Sequence, residues 1–261
     1  MDNDNNILRL DKVRSESLGS SGGCDKCSRK PSCPIHELTT IRLVESDNCI
    51  VHSRPTRQGQ YVFSAGDKFE GIYIVQSGFF KSYILNREGD MQVTGFHFPG
   101  EVFGLEGIEN GLYNYSVQAL GTGSLCKIPY SKFVQASNAR HQSTLSLLGI
   151  MSKVIDRDHK LIFALGKMNA QRRFANFLID INERMQMSGF GRKDLMLCMK
   201  RADMANYLGL AVETVSRLFT RFQDMGILRV HRRNLHIHDI DALHRIVNED
   251  LAGDVLLEKA G

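Results

Sequence analysis

No stretch of the 261-residue chain approaches the roughly 18 uninterrupted apolar residues that a membrane-spanning helix needs, which excludes a helical membrane protein. The opening residues, Met1-Asp2-Asn3-Asp4-Asn5-Asn6, are acidic and polar, the opposite of a secretory signal, so a cytoplasmic location is expected. A nucleotide-binding glycine loop, a flavin motif and a catalytic Ser/His/Asp spacing are also missing, and the chain does not read as an enzyme.

What is present is an ordinary globular composition, 42% hydrophobic and 24% charged, with length for two modest domains and an arm. The net charge of +4 says little, but its distribution says more. Between Gln171 and His236 stand 12 Lys/Arg against 6 Asp/Glu, a surplus larger than the whole net charge. Such a concentration fits a polyanion partner, because neutralising phosphates drives non-specific DNA affinity. A merely soluble basic domain fits the charge equally well.

Residues 1–23 are polar and end in Ser20-Ser21-Gly22-Gly23, a flexible arm by composition. A cysteine-rich segment follows to Cys33, then a short predicted helix over 35–44. From about 59 to 129 short apolar runs alternate with glycine-bearing turns. The pattern predicts strands at 61–63, 71–76, 79–85, 92–98, 116–119 and 124–128, spaced as in an antiparallel barrel or roll. Residues 143–167 hold no proline and carry Leu147, Ile150, Val154, Asp158, Leu161 and Leu165 at spacings of 3 or 4, one seam of a long helix. That helix is either a buried spine or a two-fold interface. A second helix is predicted over 169–187, then a strand at 195–199, two short helices, and a hairpin pairing 228–230 with 235–238.

The two short helices lie in RADMANYLGLAVETVSRLFTRF, residues 201–222. Two helices crossing steeply need a small residue where they approach, which is Ala205. The turn needs a residue tolerant of positive φ, which is Gly209 four residues later. Met204, Leu208, Leu210, Val215 and Leu218 line the inner face. This is a helix-turn-helix, and the N-terminal end of its second helix is what enters a major groove. Arg217 can donate two hydrogen bonds to guanine and Glu213 can accept from a cytosine amine. Thr214, Arg221 and the hairpin residues Arg232 and Arg233 suit phosphates. Glu213 and Arg217 also stand at the spacing of an ordinary surface ion pair.

Three of the six cysteines, Cys24, Cys27 and Cys33, fall within ten residues. In a reducing compartment such a cluster points to metal. The spacing matches neither a zinc ribbon nor the ferredoxin runs, and leaves zinc and iron–sulfur both open. A fourth ligand must come from elsewhere, with Cys49, Cys126, Cys198 and His36 as candidates.

The order of cysteine arm, β-roll, long helix and winged helix-turn-helix resembles the cyclic-AMP receptor protein superfamily, and within it the FNR (fumarate and nitrate reductase regulator) family. The likeness rests on the Cys24/Cys27/Cys33 spacing, on Gly123-Ser124-Leu125-Cys126-Lys127-Ile128-Pro129, and on the helix Val212-Glu213-Thr214-Val215-Ser216-Arg217. It covers the chain from about Cys24 to the C-terminal hairpin. It implies an α+β fold: an N-terminal cysteine-bearing arm (1–45), an antiparallel β-roll (46–142), a long dimerisation helix (143–167) and a C-terminal winged helix-turn-helix (168–261).

The resemblance further implies an oxygen-labile [4Fe-4S] cluster on Cys24, Cys27, Cys33 and Cys126 that promotes homodimerisation. It implies binding of double-stranded DNA at TTGAT-like inverted repeats, with Glu213, Ser216 and Arg217 reading bases. The outcome would be activation or repression of anaerobic-metabolism genes. Read as a two-fold interface, the long helix would bring Ile150, Val154, Ile155, Asp158, Leu161 and Leu165 to the dimer seam, where the two Asp158 carboxylates repel each other. The resemblance implies an RNA-polymerase contact at Arg87, Gly89 and Asp90. That loop reads equally well as a plain β-turn. A cyclic nucleotide is not expected, because after Gly100-Glu101 the sequence runs to Tyr115-Ser116 without the arginine–serine/threonine pair that grips its phosphate. The alternative is a cyclic-AMP-receptor-type regulator with a structural metal or another ligand.

Overall fold

The computed structural model describes residues 51–52, 55–131, 141–188 and 194–248. The arm with Cys24, Cys27 and Cys33, the helix expected over 35–44, and Cys49 lie outside the described residues.

The first half is a roll of two four-stranded antiparallel sheets. One runs β1 (Val51–His52), β8 (Ser124–Pro129), β3 (Gly71–Ser77) and β6 (Val102–Phe103). The other runs β2 (Tyr61–Phe63), β7 (Ser116–Ala119), β4 (Phe80–Leu85) and β5 (Met91–His97). The predicted strands stand within one or two residues of these bounds. Glycines make the corners, and Gly78 is required: at φ +79°, a Cβ there would sit 2.6 Å from the Gly123 Cα.

Aromatic side chains fill the interior of the roll. Phe63 stacks on Tyr113 at 3.7 Å between ring centres and Tyr73 on Phe103 at 5.5 Å. The buried Tyr113 hydroxyl donates to the Gly71 carbonyl at 2.7 Å, so its polar end is satisfied inside an apolar core. A short helix, α1 (Gly107–Asn110), closes one side. The two-residue strands β1 and β6, and α1, were not predicted.

From the roll the chain enters a 27-residue helix, α2 (His141–Lys167), and turns into α3 (Ala170–Met187). Asn169 makes the turn, its side chain accepting from the Arg172 amide at 3.0 Å as an N-cap. Then come β9 (Asp194–Met196), α4 (Arg201–Leu208), α5 (Val212–Asp224), the hairpin β10 (Leu228–His231) and β11 (Asn234–Ile237), and α6 (Ile240–Asn248). Strand β9 pairs with β11 to make a three-stranded wing sheet. Helix α6 is an addition to the expected elements. No helix among the described residues is long and apolar enough to cross a membrane.

The two halves share a core. Phe79, Val93, Phe96, Phe98 and Leu120 on the outside of the roll belong to one buried cluster with Phe174, Phe177, Leu178, Tyr207 and Phe222. The helix-turn-helix is therefore packed against the β4–β5 side of the roll.

Candidate DNA interface and sensory residues

Helices α4 and α5 meet as the sequence requires. Ala205 is buried between them, and Gly209 adopts φ +61°, its amide closing the end of α4 on the Asn206 carbonyl at 3.2 Å. Val215, Leu218, Phe219 and Phe222 turn one face of α5 into the core. The opposite face, with Glu213, Ser216, Arg217 and Arg221, is exposed, and Thr214 is half-buried beside it. The Ser216 hydroxyl donates to the Val212 carbonyl at 2.9 Å. The expected ion pair between Glu213 and Arg217 is not formed among the described residues, so both side chains face outward without engaging each other. The wing turn is the two-residue Arg232-Arg233 between the paired His231 and Asn234, with Arg232 at φ +58° and both arginines exposed.

Arg173, to which sequence reasoning assigned no role, ties this unit to the long helix. Its guanidinium donates to the Leu208 carbonyl at 2.6 Å, to Leu165 at 2.9 Å and to Met168 at 3.0 Å. It thus satisfies the orphan carbonyls at the ends of both α2 and α4. Only a positive charge near those positions hinted at it.

In the single chain the residues expected at the seam of α2 differ in exposure. Ile150 packs against the core of the roll and Leu161 against the shared core, while Val154 and Leu165 are half-buried. The exposed apolar stripe is instead Leu145, Leu148, Ile155, Ile162 and Phe163. Leu148, Ile155 and Ile162 recur every seven residues, the repeat of a two-helix seam. Ile155 and Asp158 of the expected interface lie on this outward side. The helix is apolar on two faces, and periodicity alone does not say which one the roll claims. Asp158 lies three residues after Ile155 and four before Ile162. Desolvation raises its carboxyl above the usual carboxylate range, with Arg157 and His159 opposing the rise.

Cys126 sits on β8 opposite Ile74 of β3 and His52 of β1, half-buried at the margin of the roll core. Cys198, beyond β9, differs: burial pushes its thiol up to about 11, against the slight pull of Arg233. A metal ligand must be a thiolate, and the raised thiol of Cys198 works against that role. The loop after β4 is a tight turn, in which the Asp90 amide donates to the Asn86 side chain at 2.8 Å, Gly89 adopts φ +90° and Arg87 is exposed.

Glu101 stands where a cyclic-nucleotide site would use its Gly-Glu turn, and it is otherwise engaged. It accepts two bonds of 2.8 Å from Arg184 of α3, one of 3.0 Å from the Phe98 amide, and pairs with Arg157 of α2 at 3.2 Å. Burial works to raise its carboxyl, but the two arginines outweigh that and hold it down at about 2.

Comparison with known proteins agrees with this architecture. Residues 53–140 match the family described as a cyclic nucleotide-binding domain, and residues 172–246 match the Crp-like helix-turn-helix domain. The chain is 36% identical over 230 residues to the transcriptional activator protein Anr of Pseudomonas aeruginosa, covering 88% of this chain and 94% of the relative. It is 36% identical over 233 residues to the fumarate and nitrate reduction regulatory protein of Escherichia coli K12, covering 89% and 93%. Among solved structures, FixK2 from Bradyrhizobium japonicum superposes with a TM-score of 0.69 at 27% identity, covering 76% of this chain and 96% of that one.

Proposed function

Because the chain belongs to the FNR/Anr family of CRP/FNR transcription regulators, we propose that it is an oxygen-responsive regulator that binds inverted-repeat DNA as a homodimer. The observation that carries the reading is the helix-turn-helix of α4, Gly209 and α5, with Glu213, Ser216 and Arg217 on an open outer face. In this reading Glu213 and Arg217 read the central G·C region of a TTGAT-like half-site and Ser216 an adjacent thymine. Thr214, Arg221, Arg232 and Arg233 hold phosphates.

Cys24, Cys27, Cys33 and Cys126 are proposed to hold a [4Fe-4S] cluster. The support on the described side is the half-buried place of Cys126 on the roll margin, contrasted with the raised thiol of Cys198. When bound, the cluster supplies an oxygen-labile group. The chain's own contribution is to link the arm to the roll at β8, whose core receives Ile150 of α2. The dimer forms along α2, with Ile155 and Asp158 at the seam joined by Leu148 and Ile162. Asp158 opposes association, so the dimer is poised to respond to a bias of a few kcal/mol. Arg87, Gly89 and Asp90 are proposed to meet RNA polymerase. The division at 45/46, 142/143 and 167/168 is proposed to separate arm, roll, dimerisation helix and DNA-binding unit.

The match to cyclic nucleotide-binding domains favours a second reading, a regulator that senses a nucleotide. Against it stand the aromatic rings of Phe63, Tyr73, Phe103 and Tyr113 inside the roll and the engagement of Glu101 with Arg184.

One experiment separates the two. The protein is purified without oxygen and its visible absorbance, iron and sulfide are measured, followed by calorimetry with cyclic AMP. Iron and sulfide in equal amounts, bleached by air, with no heat from the nucleotide, is the expected result. An iron-free protein that binds cyclic AMP would overturn the proposal.

A further inference from the structure

Two polar attachments fasten the helix-turn-helix directly to the roll, and neither passes through the long helix. The first is an ion pair. Lys81 of β4 donates to Asp203 of α4 at 2.6 Å, with side chains only 10% and 9% exposed. With α4 docked, the buried ammonium has its countercharge in Asp203, and a docked arrangement without that pair would be costly. The same carboxylate accepts from the Lys200 amide at 3.3 Å and so also caps α4.

The second attachment uses an open sheet edge. Among the described residues, strand β5 pairs only with β4, which leaves the backbone groups on its other side without a described strand. Asn206, three residues after Asp203, fills that place with its amide. It accepts from the Val93 amide at 2.5 Å and donates to the Met91 carbonyl at 2.6 Å, while the Gln92 side chain donates to the Asn206 carbonyl at 2.9 Å. An asparagine side chain thus stands in for a neighbouring strand.

Helix α4 is held on its other side by α5: Met204, Ala205 and Leu208 share a core with Val215, Leu218 and Phe219. The roll therefore sets the orientation of α4, and α4 sets that of the reading helix. The roll is itself tied to α2 through Ile150 and the Arg157–Glu101 pair. An apolar contact alone tolerates sliding, whereas a buried ion pair and a two-point amide clamp fit one register.

We propose that Lys81, Asp203 and Asn206 are positioning residues that fix the separation of the two reading helices in the dimer, and thereby select the spacing between half-sites. Two reading helices must arrive about 34 Å apart to enter successive major grooves on one side of the duplex. The proposal rests on the reading that the chain binds an inverted repeat as a dimer, and adds a specificity determinant outside the DNA-contacting face.

The test uses the full chain purified without oxygen, as wild type, Lys81→Met, Asn206→Ala and, as a control, Arg245→Met at the more exposed pair with Asp239. Amide exchange is read first, in the absence of DNA. Both lock variants should exchange faster in β5 while β3 keeps its protection and sedimentation shows an unchanged dimer. Affinity is then measured for TTGAT-like inverted repeats whose spacer is varied by one and two base pairs. Preference for the best spacer should fall about tenfold in each lock variant and stay unchanged in the control.

Wild-type exchange in β5, or a retained spacer preference, overturns the proposal. Should Lys81→Met lose protection in β3 as well, Asn206→Ala, which buries no charge, decides the matter. If the wild type binds no such repeat, the half-site reading fails by itself. The exchange result in β5 still judges the lock.

Discussion

Arg184 grips Glu101 with two nitrogens, Nε to Oε1 and Nη2 to Oε2, both at 2.8 Å. This fork joins α3 to the turn before β6, and Arg184 also reaches Asp180 at 2.8 Å and the Phe96 carbonyl. A parallel two-bond pair of this kind is among the stronger contacts available to charged side chains. It makes Glu101 a structural residue of the junction between roll and DNA-binding unit.

Glu101→Gln is therefore expected to lower the unfolding free energy by about 3 kcal/mol, because it leaves Arg184 and Arg157 short of a buried countercharge. Urea denaturation of the cluster-free protein measures it. A loss below about 0.5 kcal/mol would place the pair among weak surface bridges.

The same carboxyl gives a pH dependence. Its folded value of about 2 lies below its ordinary 4.5, so deprotonation favours the folded state. Stability from this group is fully present above about 4.5 and is lost as pH falls from there toward 2. Glu101→Gln should flatten that part of the stability curve, and an equally steep acid limb in the variant would refute the assignment.

Asp158 works in the other direction. Desolvation raises its carboxyl already in the single chain, and a partner's carboxylate across a seam raises it further. Association then takes up protons, so dimerisation of the cluster-free protein strengthens as pH falls through the raised value and weakens above it. Asp158→Ala should dimerise in air and bind DNA without the cluster. Sedimentation of that variant as a monomer would remove the repulsion account.

Arg217→Ala should cost about 1–3 kcal/mol of discrimination at one G·C position with the melting temperature unchanged, since no ion pair to Glu213 is lost. Arg232→Ala should instead weaken binding to all sequences alike and reduce the salt dependence by roughly one counterion. Competition binding at several salt concentrations distinguishes the two.

Cys126→Ser should abolish the visible absorbance of the anaerobic protein while leaving its fold intact. Cys198→Ser should leave the absorbance as in the wild type. The opposite pattern would move the fourth ligand to Cys198, against the raised thiol found there.

Much of the fold was legible because its signals are local. The glycine turns and apolar runs placed β2 to β5, β7 and β8, and the pair Ala205 and Gly209 placed the helix-turn-helix. Helix α6 was missed although its marks are in the chain: Asp239 accepts from the Ala242 amide at 2.8 Å as a cap, and Leu243 and Ile246 are buried three residues apart. The outward face of α5 was legible as well, because a helix-turn-helix dictates which side of its second helix is free. Strands β1 and β6 carry too few residues to show a pattern, and exist through pairing with β8 and β3.

By itself the sequence determined that a β-roll, a long helix and a winged helix-turn-helix follow one another, and that Glu213, Ser216 and Arg217 face outward. Periodicity and turn chemistry act over a few residues and need no partner to be read. Tertiary structure decided which of the two apolar stripes of α2 stays open, turning Ile150 and Leu161 inward and Ile155 and Ile162 outward. It also joined Lys81 to Asp203 across 122 residues of chain and gave Asn206 the free edge of β5. A side chain's chemistry states what it can bond, but which distant group arrives to bond it depends on how the whole chain packs.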